Sequence, residues 1–270
     1  MVPAEGKRIA NRRIALLIEY DGQLFNGWQV QNSGLTIQGE LERSLRVLTG
    51  ESTVLTASGR TDAGVHALRQ VAHFDTQSSI PLHKMVRSIN GISVDAVSVK
   101  NAYEVPGTFH ARYSALDREY EYRIYNHPQR SPFMVGRALW FPQRFDMERA
   151  NQAAGLLTGT HDFASFCKKS SHENGTVRTV KQCRFVKNGE YITMIICAES
   201  FIHNMVRIIA GTVCEIVRDK RDPETVLEML KERRRECGGV TAPAYALYLT
   251  AVRYDPPLES YKDAYSGIGP

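Results

Sequence analysis

The chain has 270 residues, 43% of them hydrophobic, enough for one large domain or two small ones around a real core. Its 34 Lys and Arg against 29 Asp and Glu give a formal net charge of +5, compatible with a polyanionic partner and equally with a solvated basic surface. Five widely spaced cysteines without a C-x-x-C pair exclude a cysteine-rich zinc site and argue for a reduced, cytoplasmic protein; the apolar run from Ile14 to Ile18 is too short for a signal or membrane segment.

The apolar, β-branched run Ile14 to Tyr20 predicts a buried strand that turns at Asp21-Gly22. From Thr36 the spacing of Ile37, Leu41, Leu45 and Leu48 predicts an amphipathic helix stopped by Gly50. Two strands are expected near Val54 to Ala57 and Gln70 to Asp75, then a helix carrying Leu82, Met85, Val86 and Ile89 and stopped at Gly91, then a strand from Ala96 to Val99.

The second half repeats this order. Tyr120 to Tyr125 reads as a strand, Met147 to Leu157 as a helix, and Val180 to Val186 with Tyr191 to Ala198 as a hairpin across Asn188-Gly189, a pair suited to a type I′ turn. A long apolar helix from Phe201 to about Val217, a charged helix from Pro223 to about Arg235 and a strand from Leu247 to Tyr254 complete the chain. Two β-α-β-β-α-β-like units in tandem predict an α+β protein, its sheet mostly antiparallel and its helices on one side. The boundary is expected near Phe109 to Leu116, dividing the chain into residues 1–112 and 113–270.

Where the second half joins its paired strands by a two-residue turn, the first half spends about a dozen residues, including "SGRTDAGVH", and long loops in compact domains are usually functional. Gly59 and Gly64 permit positive φ and frame Arg60 and Asp62. A lone Asp in such a loop can also be a turn-forming residue, and Arg60 can be its ion-pair partner or reach a ligand. Ser58, Asp62 and His66 lie too close together for a hydrolase relay, and no G-x-S-x-G elbow is present. His66 and His73 have no acidic or Cys ligand at a zinc-like spacing, so no metal is expected.

Two further stretches carry chemistry. "FHARYSALDREYEYRIYNH" interleaves Phe109, Tyr113, Tyr120, Tyr122 and Tyr125 with His110, Arg112, Arg118 and Arg123. That mixture suits phosphates and an unstacked base, although alternating tyrosines also pack well in an ordinary strand. In "FIHNMVRIIAG", a helical wheel puts Arg207 with Asn204 on the face opposite Ile202, Met205, Val206 and Ile209, so periodicity alone reads Arg207 as a solvated residue. Basic pairs and runs at Lys7/Arg8, Arg12/Arg13, Lys168/Lys169 and Arg233 to Arg235 complete the charge pattern.

"GRTDAGVHA", "FHARYSA" followed by "EYEYRIYN", "HDFASF" and "FIHNMVRIIAG", with "IEYDGQLFNGWQVQ" before them and "LYLTAVRYD" after, closely resemble the bacterial tRNA pseudouridine synthase A family over nearly the whole chain. The resemblance implies two ferredoxin-like halves joined into one sheet with a central cleft, and a homodimer acting on tRNA uridines at positions 38, 39 and 40 of the anticodon stem-loop. It implies Asp62 as the catalytic aspartate, Arg60 as the residue entering the RNA stack, Tyr120 as the stacking partner of the uracil, and Arg207 as the basic partner of Asp62. Phe109, His110, Arg112, Tyr113, Lys168, Lys169 and His203 are the further residues expected to meet RNA.

The implied reaction breaks a C–N glycosidic bond and re-forms it as C–C without redox change, so it calls for no metal, cofactor or nucleotide. Asp62 could attack C1′, add to C6 or abstract a sugar proton. The alternatives are the same reaction on other tRNA uridines and a non-catalytic RNA-binding protein.

Overall fold

The computed structural model describes residues 11–170 and 175–265; Lys7 and Arg8 lie outside them. Strands β1 (Arg12–Tyr20), β2 (Thr56–Ala57), β3 (His66–Thr76) and β4 (Val97–Val105) come from the first half. Strands β5 (Ala115–Tyr125), β6 (Leu139–Trp140), β7 (Gly159–Asp162), β8 (Val177–Asn188), β9 (Tyr191–Ala198), β10 (Leu247–Tyr254) and β11 (Lys262–Asp263) come from the second. They form one sheet in the order β11-β4-β1-β3-β10-β5-β9-β8-β7, with β2 on β3 and β6 on β5. The orders β4-β1-β3-β2 and β10-β5-β9-β8 are the same arrangement of a βαββαβ unit used twice, as the tandem reading expects. Among the described residues only β3 with β10 and β5 with β6 pair in parallel.

Helices α1 (Ile37–Thr49), α2 (Leu82–Ile92), α3 (Met147–Gly155), α4 (Met205–Asp219) and α5 (Thr225–Glu232) share one core with the sheet. In α1 the expected stripe is buried, with Ile37, Leu41 and Leu45 at 0% exposure; burying each contributes about 2 kcal/mol relative to leaving it in water. Thr36 caps its start by accepting the Gly39 N–H, and Gly50 ends it at φ 74°. A second, smaller core lies on the sheet's other face, where Ala15, Leu17, Val71 and Tyr103 meet Phe109, Ala111, Tyr254 and Leu258.

Several boundaries differ from the sequence reading, each for a local reason. β3 starts at His66, so the loop before it is 58–65, shorter than expected; the polar residues His66 and Arg69 ahead of Gln70 hid the extension. Gly91 lies inside α2 rather than stopping it, and the helix ends where Ser93 turns extended. In the hairpin Asn188 pairs with Tyr191, leaving Gly189-Glu190 as the turn with positive φ at Gly189 alone, which suits type II′ rather than type I′. α4 starts at Met205, not Phe201, because Asn204 takes the left-handed conformation at φ 66°. The stretch before α4 is thereby freed to turn toward the site.

Candidate active site

The 58–65 loop leaves β2 and returns into β3 under tight backbone control. The Ser58 N–H donates to the Val71 carbonyl at 2.7 Å, and the Ser58 hydroxyl donates to Gln70 Oε1 at 2.6 Å. Gln70, wholly buried, donates in turn to the Gly59 carbonyl at 3.0 Å. On the far side of Arg60, Thr61 is held by the Tyr20 hydroxyl at 2.8 Å and by the Trp28 N–H, which donates to its carbonyl at 3.0 Å. Burial pushes the Tyr20 phenol up to about 12, which keeps it a neutral hydrogen-bonding group. With residues 58, 59 and 61 anchored inward, Arg60 and Asp62 are turned outward.

Two glycines make this possible. Gly64 takes φ 80°, whereas Gly59 does not use positive φ, contrary to the expectation for the pair. Gly27, at φ 90°, lets the chain before Trp28 run against the loop: a Cβ there would sit 2.7 Å from the Thr61 carbonyl oxygen. The segment "FNGWQ" therefore forms a backing for the loop.

Asp62 is gripped from the second half of the chain. Arg207 Nη1 lies 3.0 Å from Asp62 Oδ2, and His203 Nε2 lies 3.3 Å from Oδ1. The same Arg207 Nη1 donates to Asn204 Oδ1 at 3.0 Å, and its Nε donates to the Ala242 carbonyl at 2.8 Å. Arg207 is thus a constrained, half-buried residue, and the helical wheel misread it as solvated because α4 begins only at Met205 and its first turn faces the cleft. Arg60 is exposed and, among the described residues, forms no ion pair with Asp62 or any other group. The reading of Arg60 as the salt-bridge partner of Asp62 is therefore replaced by Arg207.

These side chains line a cleft of about 990 Å³ whose walls include Arg60, Asp62, Arg112, Arg118, Tyr120, Phe201, His203 and Arg207. Tyr120, on β5, is 8% exposed and meets Phe201 edge-on with ring centroids 5.2 Å apart. Burial pushes its phenol far above the usual tyrosine range, so its ring stays uncharged. A neutral aromatic wall beside a carboxylate and several cations can hold a flat base while the carboxylate acts on its sugar or ring.

Not every expected RNA contact reaches this cleft. Phe109 is 6% exposed and sits in the smaller core against Tyr254, where it cannot stack on a base. His110 and Tyr113 pack against each other as tilted rings with centroids 4.4 Å apart, and Arg112, on the cleft wall, lies 5.7 Å over the Tyr113 ring. Lys168 and Lys169 are exposed, and the Lys168 N–H donates to the His203 carbonyl, which places this pair beside the rim. Sequence reasoning missed Asn204, Gln70 and Phe201; a buried glutamine among apolar strand residues carries no local signal of its role.

No cluster of three metal-ligating side chains forms among the described residues, and none of their helices is long and apolar enough to cross a membrane. The model of the family described as tRNA pseudouridine synthase matches residues 16–114 and 153–255. These spans contain the Asp62 loop and α4, while Tyr120 falls between them. Proteins named tRNA pseudouridine synthase A from Anoxybacillus flavithermus and Bacillus subtilis are each 41% identical over 245 residues, 90% of this chain and 99% of theirs. One of that name from Methylococcus capsulatus is 42% identical over 252 residues, 93% of each chain. A doubled βαββαβ sheet, a carboxylate clasped across its two halves and similarity along nearly the full length agree: the chain belongs to the tRNA pseudouridine synthase family.

Proposed function

We propose that this chain isomerises uridine to pseudouridine in tRNA, with Asp62 as the catalytic carboxylate. The observation that carries the reading is the pairing of Asp62 with Arg207 and His203 on the cleft wall while Arg60, two residues away, is exposed and forms no ion pair among the described residues. The target base is stacked inside RNA and must leave the helix, at a cost of a few kcal/mol. Arg60 fills the vacated place and offsets that cost. The flipped uracil rests on Tyr120, the bond from N1 to C1′ breaks, the detached ring turns, and C5 bonds to C1′ with loss of the C5 proton. Arg207 and His203 hold the carboxylate at one geometry through these steps, so little reorganisation is needed as charge moves.

Arg112 on the cleft wall and the exposed Lys168 and Lys169 near His203 meet the phosphate backbone in this reading, and the positive balance of the chain favours that approach. The targets proposed are uridines 38, 39 and 40 of the anticodon stem-loop, acted on by a homodimer in the cytoplasm, with the two halves divided as residues 1–112 and 113–270. The resemblance in sequence supports these finer points. The test is release of tritium from C5 of labelled uridine in tRNA, followed by mapping of the modified positions. Release from 38, 39 and 40 is expected; binding without release from any tRNA would leave only an RNA-binding protein.

A further inference from the structure

Arg118 lies on β5, two residues from Tyr120, and is 8% exposed. Buried guanidinium groups ordinarily face a carboxylate. Arg118 instead spends its donors on backbone carbonyls of three separate segments. Its Nη2 donates to the Ser58 carbonyl at 2.8 Å and to the Arg112 carbonyl, and its Nη1 donates to the Glu199 carbonyl at 2.6 Å and, at 3.4 Å, to the Ala115 carbonyl. No carboxylate among the described residues forms an ion pair with it, and the neighbouring Asp117 is taken by Lys181 and Arg253. Burial lowers the Arg118 pKa, with Tyr254 and Tyr120 opposing that effect and Arg112 adding to it.

The three segments are the walls of the cleft. Ser58 opens the loop that carries Arg60 and Asp62, Arg112 belongs to the connector between the halves, and Glu199 leads into the stretch holding Phe201, His203 and Asn204. We propose that Arg118 is a positioning residue, whose planar fork ties these three walls together and so fixes Asp62 against the Tyr120 ring before RNA arrives. An arginine is required because only a rigid fork can donate to carbonyls of several segments at once; the point charge of a lysine cannot span them. The inference rests on the proposed isomerase activity.

The test compares Arg118→Lys and Arg118→Met with wild type on one tRNA, assayed below the melting temperature of each protein. Three quantities are read: the single-turnover rate at saturating tRNA, the affinity, and the slope of log Kd against log salt. A displacement of the walls by about 1 Å lowers the rate on the order of 10²-fold. That loss is expected in both variants, on a paired and on a mismatched target uridine alike, with affinity within a few-fold and with an unchanged salt slope for Arg118→Lys. Where Arg118→Met does not fold, Arg118→Lys decides alone. A wild-type rate in Arg118→Lys would show that charge rather than the fork matters and would overturn the proposal. A salt slope smaller by about 1 in Arg118→Met but not in the charge-preserving Arg118→Lys would make Arg118 a phosphate contact and would also overturn it. Absence of turnover by the wild-type protein would instead refute the isomerase reading.

Discussion

Arg207 and Ala242 bind each other twice. The Ala242 N–H donates to the Arg207 carbonyl at 3.1 Å, and Arg207 Nε donates to the Ala242 carbonyl at 2.8 Å. The side chain that grips Asp62 is thereby fixed at its root and at its neck by one residue of the 238–243 strap. Arg207→Lys keeps a cation near Asp62 and loses the Nε bond, so a fall of about 10 to 100-fold in single-turnover rate is expected, with Arg207→Met lower still. Equal rates for Arg207→Lys and wild type would show that charge alone suffices.

The strap lies so close to α4 that Gly211 is required beneath it. A Cβ at Gly211 would stand 2.0 Å from the Val240 carbonyl oxygen, a backbone atom that can move only with the strap. Gly211→Ala is expected to cost about 1 to 3 kcal/mol of stability and to lower turnover by releasing Arg207. Thermal melting and single-turnover assays read the two effects; an unchanged melting point would contradict the close approach.

Asp62 and Arg60 should fail at different steps although one residue separates them. Asp62→Asn preserves shape and removes the carboxylate, so turnover is lost on every substrate while tRNA affinity stays within a few-fold. Arg60→Ala should be slow on a paired target and less impaired when the uridine sits in an open mismatch, where flipping costs less. Rates at one fixed salt concentration make the comparison. An equal loss for Arg60→Ala on both RNAs would remove its flipping role.

Tyr120→Phe keeps the ring that meets Phe201 edge-on, whereas Tyr120→Leu removes the aromatic face. The first is expected to retain most activity and the second to lose at least tenfold in rate, in keeping with base stacking worth about 1 to 3 kcal/mol. Indistinguishable variants would count against a stacked uracil.

His73 predicts a pH dependence of stability. It is 6% exposed, and its Nδ1 accepts the Ala111 N–H at 3.2 Å, joining β3 to the connector that carries Arg112. Burial lowers its pKa to about 4; Arg13 and His110 push the same way, and Asp75 and the Thr56 carbonyl oppose them. Because the folded pKa lies below the ordinary 6.5, the unfolded chain binds more protons between those values. The contribution is complete above the ordinary value and is lost as pH falls through about 4. Between pH 7 and pH 5 the wild type should lose on the order of 1 to 2 kcal/mol more than His73→Gln. Parallel melting curves for the two proteins over that range would refute the assignment.

The tandem fold was legible because hydrophobic period and turn residues agree along most elements: Thr36, the α1 stripe and Gly50 define one helix, and β10 has the expected limits. Where polar residues enter a strand for tertiary reasons, as His66 does in β3 to accept the Gly22 N–H, the period fails and the boundary moves. Asp62 could be singled out from its loop, but its grip by Arg207 depends on the left-handed turn at Asn204 and on a strap some thirty residues later in the chain. Phe109 shows the converse. Its aromatic, cation-rich neighbourhood resembles a nucleic-acid surface, yet Phe109 completes the smaller core. Composition does not say which face of a sheet a side chain meets.

The parallel pairing of Tyr248 with His66 and Leu249 with Ala67 governs when during synthesis this protein can become active. β10 is made after every other long strand, yet it occupies the middle of the sheet between β3 and β5. While the intervening residues emerge from the ribosome, the start of β3 and most of one edge of β5 lack their folded-state neighbour, and an unpaired edge is the kind onto which other chains add. Arrival of Leu247 to Tyr254 covers His66 and Ala67 of β3 and the edge of β5 from Ala115 to Tyr122, and the strap that anchors Arg207 comes immediately before it. Protection from misassembly and competence for catalysis are therefore acquired together, once the strap and β10 have been made.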